Sequence, residues 1–161
     1  MAEKSRGRGL ASSIRLMVRP ELIRRKLAHL HGYLGELEPY RGVSLDSYLA
    51  RGGPRRAVER LLQLLVEVVA DINVHVATET EGKPPNDYRD SFNAAARIGL
   101  IPSDLATDLM PSAGLRNALG HDYAILDDGR VHETFHLALD GFREYAQAVQ
   151  RWIQTHEEGQ G

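Results

Sequence analysis

Between Gly114 and His136 the chain reads GLRNALGHDYAILDDGRVHETFH, and two groups of side chains in it could do chemistry. The first is R-x4-H-x-Y, formed by Arg116, His121 and Tyr123. It combines a planar cation suited to phosphate or carboxylate, an imidazole that can move a proton near neutral pH, and a phenol. The second is H-E-x-x-H, formed by His132, Glu133 and His136, the spelling of a zinc-protease helix. The two imply different enzymes.

The zinc reading needs both histidines on one helical face, a glutamate base and a third protein ligand. The spacing meets the first condition. The third ligand is missing: HETFHLALDGF has no glycine and histidine at the metalloprotease spacing, Glu144 lies too close on the same helix, and Glu157 and Glu158 fall in the last residues. The motif also opens a helix beside a turn, which favours solvated side chains around an apolar Phe135. No metal is expected.

The R-x4-H-x-Y reading gains from its company. Asn117 follows Arg116 and stands four residues before His121, on the same helical face, where an amide can hold one imidazole nitrogen. Arg116 and Tyr123, seven apart, also share a face. Arg116 and His121 are separated by about 140° around an ideal helix, so a long arginine arm or a loosened turn at Gly120 must bring them together.

The elements that position these groups read as helices throughout. From Pro20, Leu22, Ile23, Leu27, Leu30, Leu34 and Leu37 recur at steps of three and four, until Pro39 and Gly42. SLDSYLA is a short helix with Ser44 as N-cap. Pro54 opens the longest helix, to about Thr80, apolar on nearly every side and therefore central. NDYRDSFNAAARIGLIP is a helix capped by Asn86 and stopped at Gly99; Ser103 caps the next, which Pro111 kinks or divides before the motif segment resumes near Ser112. Asp127-Asp128-Gly129 reads as a turn, and a final helix runs from about Val131 to Ile153 with Phe135, Leu139, Phe142, Ala146 and Val149 on its buried face. No alternating strand is present. The expected architecture is an all-α bundle of five or six helices. A basic tail (1–19) precedes a helical domain (20–155), and 156–161 form a C-terminal tail.

Composition is consistent with this. The 161 residues suit one domain, and a net charge of −2 excludes a uniformly basic nucleic-acid binder. With no cysteine, disulfides, thiolate metal sites and a cysteine nucleophile are excluded, and a cytoplasmic home is expected. No apolar run reads as a membrane span.

RNALGHDY, in this order of helices and with the YRDSF and AARIGLIPSDLATDL segments, resembles the HepT-like toxins of the HEPN superfamily, the ribonuclease half of HepT/MntA toxin–antitoxin pairs. The resemblance spans roughly Pro20 to Ile153. It implies a HEPN-type bundle and metal-independent RNA cleavage without a cofactor, giving a 2′,3′-cyclic phosphate. Arg116, Asn117 and His121 would be the catalytic residues, in a cleft shared by two protomers of a homodimer. Tyr123 would be the site where a minimal nucleotidyltransferase antitoxin attaches AMP. A packing role for Tyr123, and a non-catalytic partner of a nucleotidyltransferase or nucleic acid, remain the alternatives. Gly120, where that family carries an aliphatic or small residue, and Pro111 depart from its pattern.

Other polar residues stand in suggestive places. Asp71, four residues before His75 in the apolar helix, could aim Arg116 across the bundle or pair with His75 as plain structure. Arg55, Arg56 and Arg60, with Arg51, crowd a helix N-terminus, where the macrodipole disfavours cations. An RNA phosphate could sit there, or the face is simply solvated.

Overall fold

In the computed structural model, residues 18–121 and 128–159 are described, with backbone alone for 119–121 and 128. Six α-helices occupy them: α1 (Pro20–Leu37), α2 (Leu45–Leu49), α3 (Arg55–Glu81), α4 (Tyr88–Arg97), α5 (Ser103–His121) and α6 (Asp128–Glu158). A 3-10 turn, Glu38–Tyr40, ends α1. No strand occurs among the described residues. The all-α expectation therefore holds.

Helix α3 is the axis. Its 27 residues make a rod of about 40 Å. Leu61, Leu62, Leu65, Val66, Val69, Ile72 and Val76 are all buried. Helices α1, α4 and α5 pack against it, and α6 closes the bundle against α1 and α5. By length and composition α3 could cross a bilayer, contrary to the sequence expectation, but 61% of that window is buried within the fold. Its apolar faces are spent on neighbouring helices, as for any core helix. Gly82, at φ 79°, ends it in the left-handed conformation that glycine adopts most readily.

Polar contacts from one side chain cross the core between α6 and α3. The Tyr145 hydroxyl on α6 donates to Asn73 Oδ1 on α3 at 2.7 Å, both side chains fully buried. Burial pushes the Tyr145 phenol well above its ordinary range, so it stays a donor.

Several boundaries differ from expectation. Asp87, not Asn86, caps α4: its Oδ1 accepts the Asp90 N–H at 2.8 Å. Ser103 is the first residue of α5 rather than its cap. Pro111 lies inside α5 without dividing it. It falls on the exposed side, and Ser112 Oγ nearby donates to the Leu109 carbonyl. Asp128 and Gly129 belong to α6, not to a turn. Residues near both expected tail boundaries make contacts. Val18 is buried and the Arg19 N–H donates to His75 Nε2 at 3.2 Å, while α6 runs to Glu158 and Glu157 meets Arg24 at 2.5 Å.

Candidate active site

Helix α5 carries the R-x4-H pattern along its last turns. Its apolar residues Leu105, Ala106, Leu109 and Ala113 are buried, which turns Arg116 toward α3 and α4. Gly141 on α6 allows a close approach: a Cβ there would stand 2.8 Å from Leu109 Cδ2. That contact fixes α5 against α6 about two turns before the motif.

Arg116 is held on two sides. Its Nη2 meets Glu67 Oε1 on α3 at 3.1 Å, the two side chains being 23% and 35% exposed. Its Cζ lies 4.6 Å from the centre of the Tyr88 ring on α4, a cation–π contact. Its Nε is buried and has no hydrogen-bond partner among the described residues. The guanidinium is thus oriented while its side chain stays part-exposed on an open groove, which suits a group that receives an anion.

Glu67 is the residue that sequence reasoning missed. Asp71 was expected to aim Arg116 or pair with His75. It does neither, because it faces solvent and binds Lys26 Nζ at 2.9 Å. Position 67 lies one helical turn earlier on α3, on the stripe that meets α5. A carboxylate inside the run LLQLLVEVVAD, between buried Val66 and Val68, was the available signal. His75, half-buried, accepts from the Arg19 backbone. Burial lowers its pKa below the usual imidazole value, opposed by Glu79 and aided by Arg19.

Beside Arg116 a groove of about 700 Å³ opens between α3, the 82–87 link, α4 and α5. Val74, Pro85, Asn86, Tyr88, Arg116 and Asn117 line it. Asn117 is half-buried at its edge. His121 is the final residue of α5, but its side chain and Tyr123 lie outside the described residues. So the structure brings Arg116 and Asn117 to one groove and describes neither partner that would complete the motif.

The remaining arginines stand elsewhere. Arg55 pairs with Glu59 at 3.9 Å, Arg60 donates to Gln63 at 3.3 Å, and Arg56 is exposed. They precede Glu67 by seven to twelve residues, about 10 to 18 Å along the axis.

The H-E-x-x-H histidines are packed rather than solvated, contrary to expectation. The His132 Nε2 lies 2.6 Å from the Val43 carbonyl, so it is the nitrogen that carries the proton and donates. Its ring also rests 5.5 Å from that of Tyr48. His136 packs 4.1 Å from the ring of Phe135, and burial with neighbouring His132 lowers its pKa. Among the described residues no cluster of three or more His, Asp or Glu could hold a metal. His132 thus docks α6 onto α2 and its preceding loop.

Comparison with known proteins settles the family. Residues 30–149 match the family model described as ribonuclease HepT-like. The chain belongs to the HepT-like ribonuclease family. The tRNA nuclease HepT of Aphanizomenon flos-aquae is 29% identical over 141 residues, covering 88% of this chain and 96% of that one. The mRNA nuclease HepT of Shewanella oneidensis is 34% identical over 89 residues, 55% of this chain and 66% of that one. The fold matches a tri-AMPylated HEPN toxin of Shewanella oneidensis, solved in complex with its MNT antitoxin, with a TM-score of 0.72 and 25% identity over 83% of this chain and 99% of that one. The activity class of this HepT-like chain is therefore that of an endoribonuclease.

Proposed function

We propose that this HepT-like protein is the toxin of a toxin–antitoxin pair, a metal-independent endoribonuclease acting through Arg116, Asn117 and His121. One observation carries the assignment of the site. Arg116 is clamped by Glu67 and Tyr88 and stays part-exposed at the edge of an open groove that it lines. An oriented, part-exposed guanidinium beside an open groove can receive a phosphate oxygen.

The chemistry follows from the residue types. His121 takes the proton from the ribose 2′-hydroxyl. The freed oxygen attacks the adjacent phosphorus, the bond to the 5′ oxygen breaks, and that oxygen leaves as a hydroxyl after receiving a proton. The products are a 2′,3′-cyclic phosphate and a 5′-hydroxyl end. Arg116 offsets the negative charge that grows on the phosphoryl oxygens. Asn117 orients the imidazole or touches phosphate. Two protomers pair so that both motifs line one cleft, which concentrates positive potential in a chain whose net charge is only −2.

Control is exerted through Tyr123. A minimal nucleotidyltransferase antitoxin transfers AMP to its hydroxyl, and the bulky anion beside Arg116 excludes RNA by occupancy and charge. The tri-AMPylated state of the Shewanella oneidensis toxin, in complex with its antitoxin, supports this reading. The system works in the cytoplasm, where its RNA is. Arg55, Arg56 and Arg60 extend the RNA track beyond the groove.

The test is cleavage of total RNA by purified protein in the presence of EDTA, with end-group analysis. Cleavage that leaves cyclic phosphates supports the account. Cleavage abolished by the chelator points to a metal enzyme, and no cleavage with retained binding of a nucleotidyltransferase points to a non-catalytic partner.

A further inference from the structure

We propose that the groove beside Arg116 is a nucleobase subsite, seating one unpaired base next to the phosphate that Arg116 holds. The inference rests on the ribonuclease reading and adds to it the residues that would recognise the substrate.

Three observations point to a base. The volume, about 700 Å³, lies in the range of nucleotide-sized sites. Its floor is apolar and partly aromatic: Val74, Pro85 and Tyr88. Val74 is 36% exposed on a helix whose apolar residues are otherwise mostly buried, so the bundle gives no reason for it. Tyr88 is already fixed against Arg116, so a base that packs on it finds a surface whose ordering cost is met.

The polar rim is divided: Arg116 and His75 line it together with two carboxylates, so only part of it suits a phosphate. Asp71 and Asp87 border the groove, and their carboxylates repel an anion but accept from the amino groups of a base. Each keeps an oxygen outside its bond to Lys26 or to the Asp90 N–H. Asn86 and Asn117 offer amides that can both donate and accept. Arg116 and Asn117 border the same groove, so the phosphate and its flanking base can be held together. Recognition of a splayed base in this manner requires single-stranded RNA or a frayed end.

The experiment is an NMR titration of the full chain with the four nucleoside 3′-monophosphates and with ribose phosphate, which lacks a base, using wild type, Val74→Trp and Asn86→Ala. Nucleotides should bind wild type five- to a hundredfold more tightly than ribose phosphate, roughly the loss seen when one stacked base contact is removed. Val74→Trp, which fills the groove, should abolish that preference while ribose phosphate still binds. Asn86→Ala, an exposed change that leaves the fold intact, should reduce it. Equal binding of ribose phosphate and nucleotides by wild type, or an unaltered preference in Val74→Trp, overturns the subsite. Dissociation of a wild-type dimer by Val74→Trp in sedimentation overturns it too, because the groove would then be a subunit contact. If the wild type cuts no RNA, the ribonuclease reading falls separately, and the titration still decides the groove.

Discussion

Replacing Arg116 by Met separates a functional from a structural arginine. Met keeps most of the apolar stem, so packing along the side chain survives. The ion pair with Glu67 is lost, but at 23% and 35% exposure it is largely screened and contributes about 0.5 to 1 kcal/mol. The cation–π contact with Tyr88 adds about 0.5 to 1 kcal/mol. Against these stands the buried Nε, without a partner among the described residues, whose removal relieves about 1 to 3 kcal/mol of desolvation. The opposing contributions nearly cancel, so Arg116→Met should unfold in urea within about 1 kcal/mol of wild type. RNA cleavage should fall by about 10²- to 10³-fold, the usual loss when one group stabilising transition-state charge is removed. A loss of more than about 3 kcal/mol in stability, or cleavage at the wild-type rate, would refute the reasoning.

Three further outcomes are expected. Tyr145→Phe strands the buried Asn73 Oδ1 and should cost about 1 to 3 kcal/mol in chemical denaturation, and Asn73→Leu in that background should restore much of it; a neutral single variant would contradict the core contact. His75 is held neutral by burial, so its folded pKa lies below the ordinary 6.5. Its contribution to stability is complete above pH 6.5 and lost as pH falls through the folded value, together with its contact to the Arg19 N–H; an NMR titration midpoint above 6.5 for His75 would oppose this. Protein co-expressed with an MNT-type nucleotidyltransferase should gain mass in AMP increments located by peptide mapping to Tyr123, and no increment in Tyr123→Phe; adducts elsewhere would reassign the controlled residue.

The helical order was legible because the apolar spacing is strong. Leu27, Leu30 and Leu34 of α1, and Phe135, Leu139 and Phe142 of α6, are all buried as their periodicity requires. Helix ends were less so. Asn86 and Asp87 are both good caps, and only backbone geometry chose the aspartate. Nor does local sequence reveal that Glu157 finds Arg24, a pairing 133 residues apart. Arg116 was found from its motif, but its anchors on α3 and α4 were not. Asp71 and Glu67 differ by one turn on the same helix, and which of them meets α5 depends on how the helices cross. Tyr88 stood out only as part of the YRDSF segment, with nothing to say that its ring meets Arg116.

The central claim is that Arg116 and His121 act together on one phosphodiester. Single-turnover cleavage rates of an RNA oligonucleotide in EDTA should be measured for wild type, Arg116→Met, His121→Ala and the double variant. Groups that work as a unit are not additive, so the double variant should be little slower than the slower single variant, each being at least about a hundredfold below wild type. Losses that multiply fully in the double variant, or a wild-type rate no greater than that of the double variant, would contradict it.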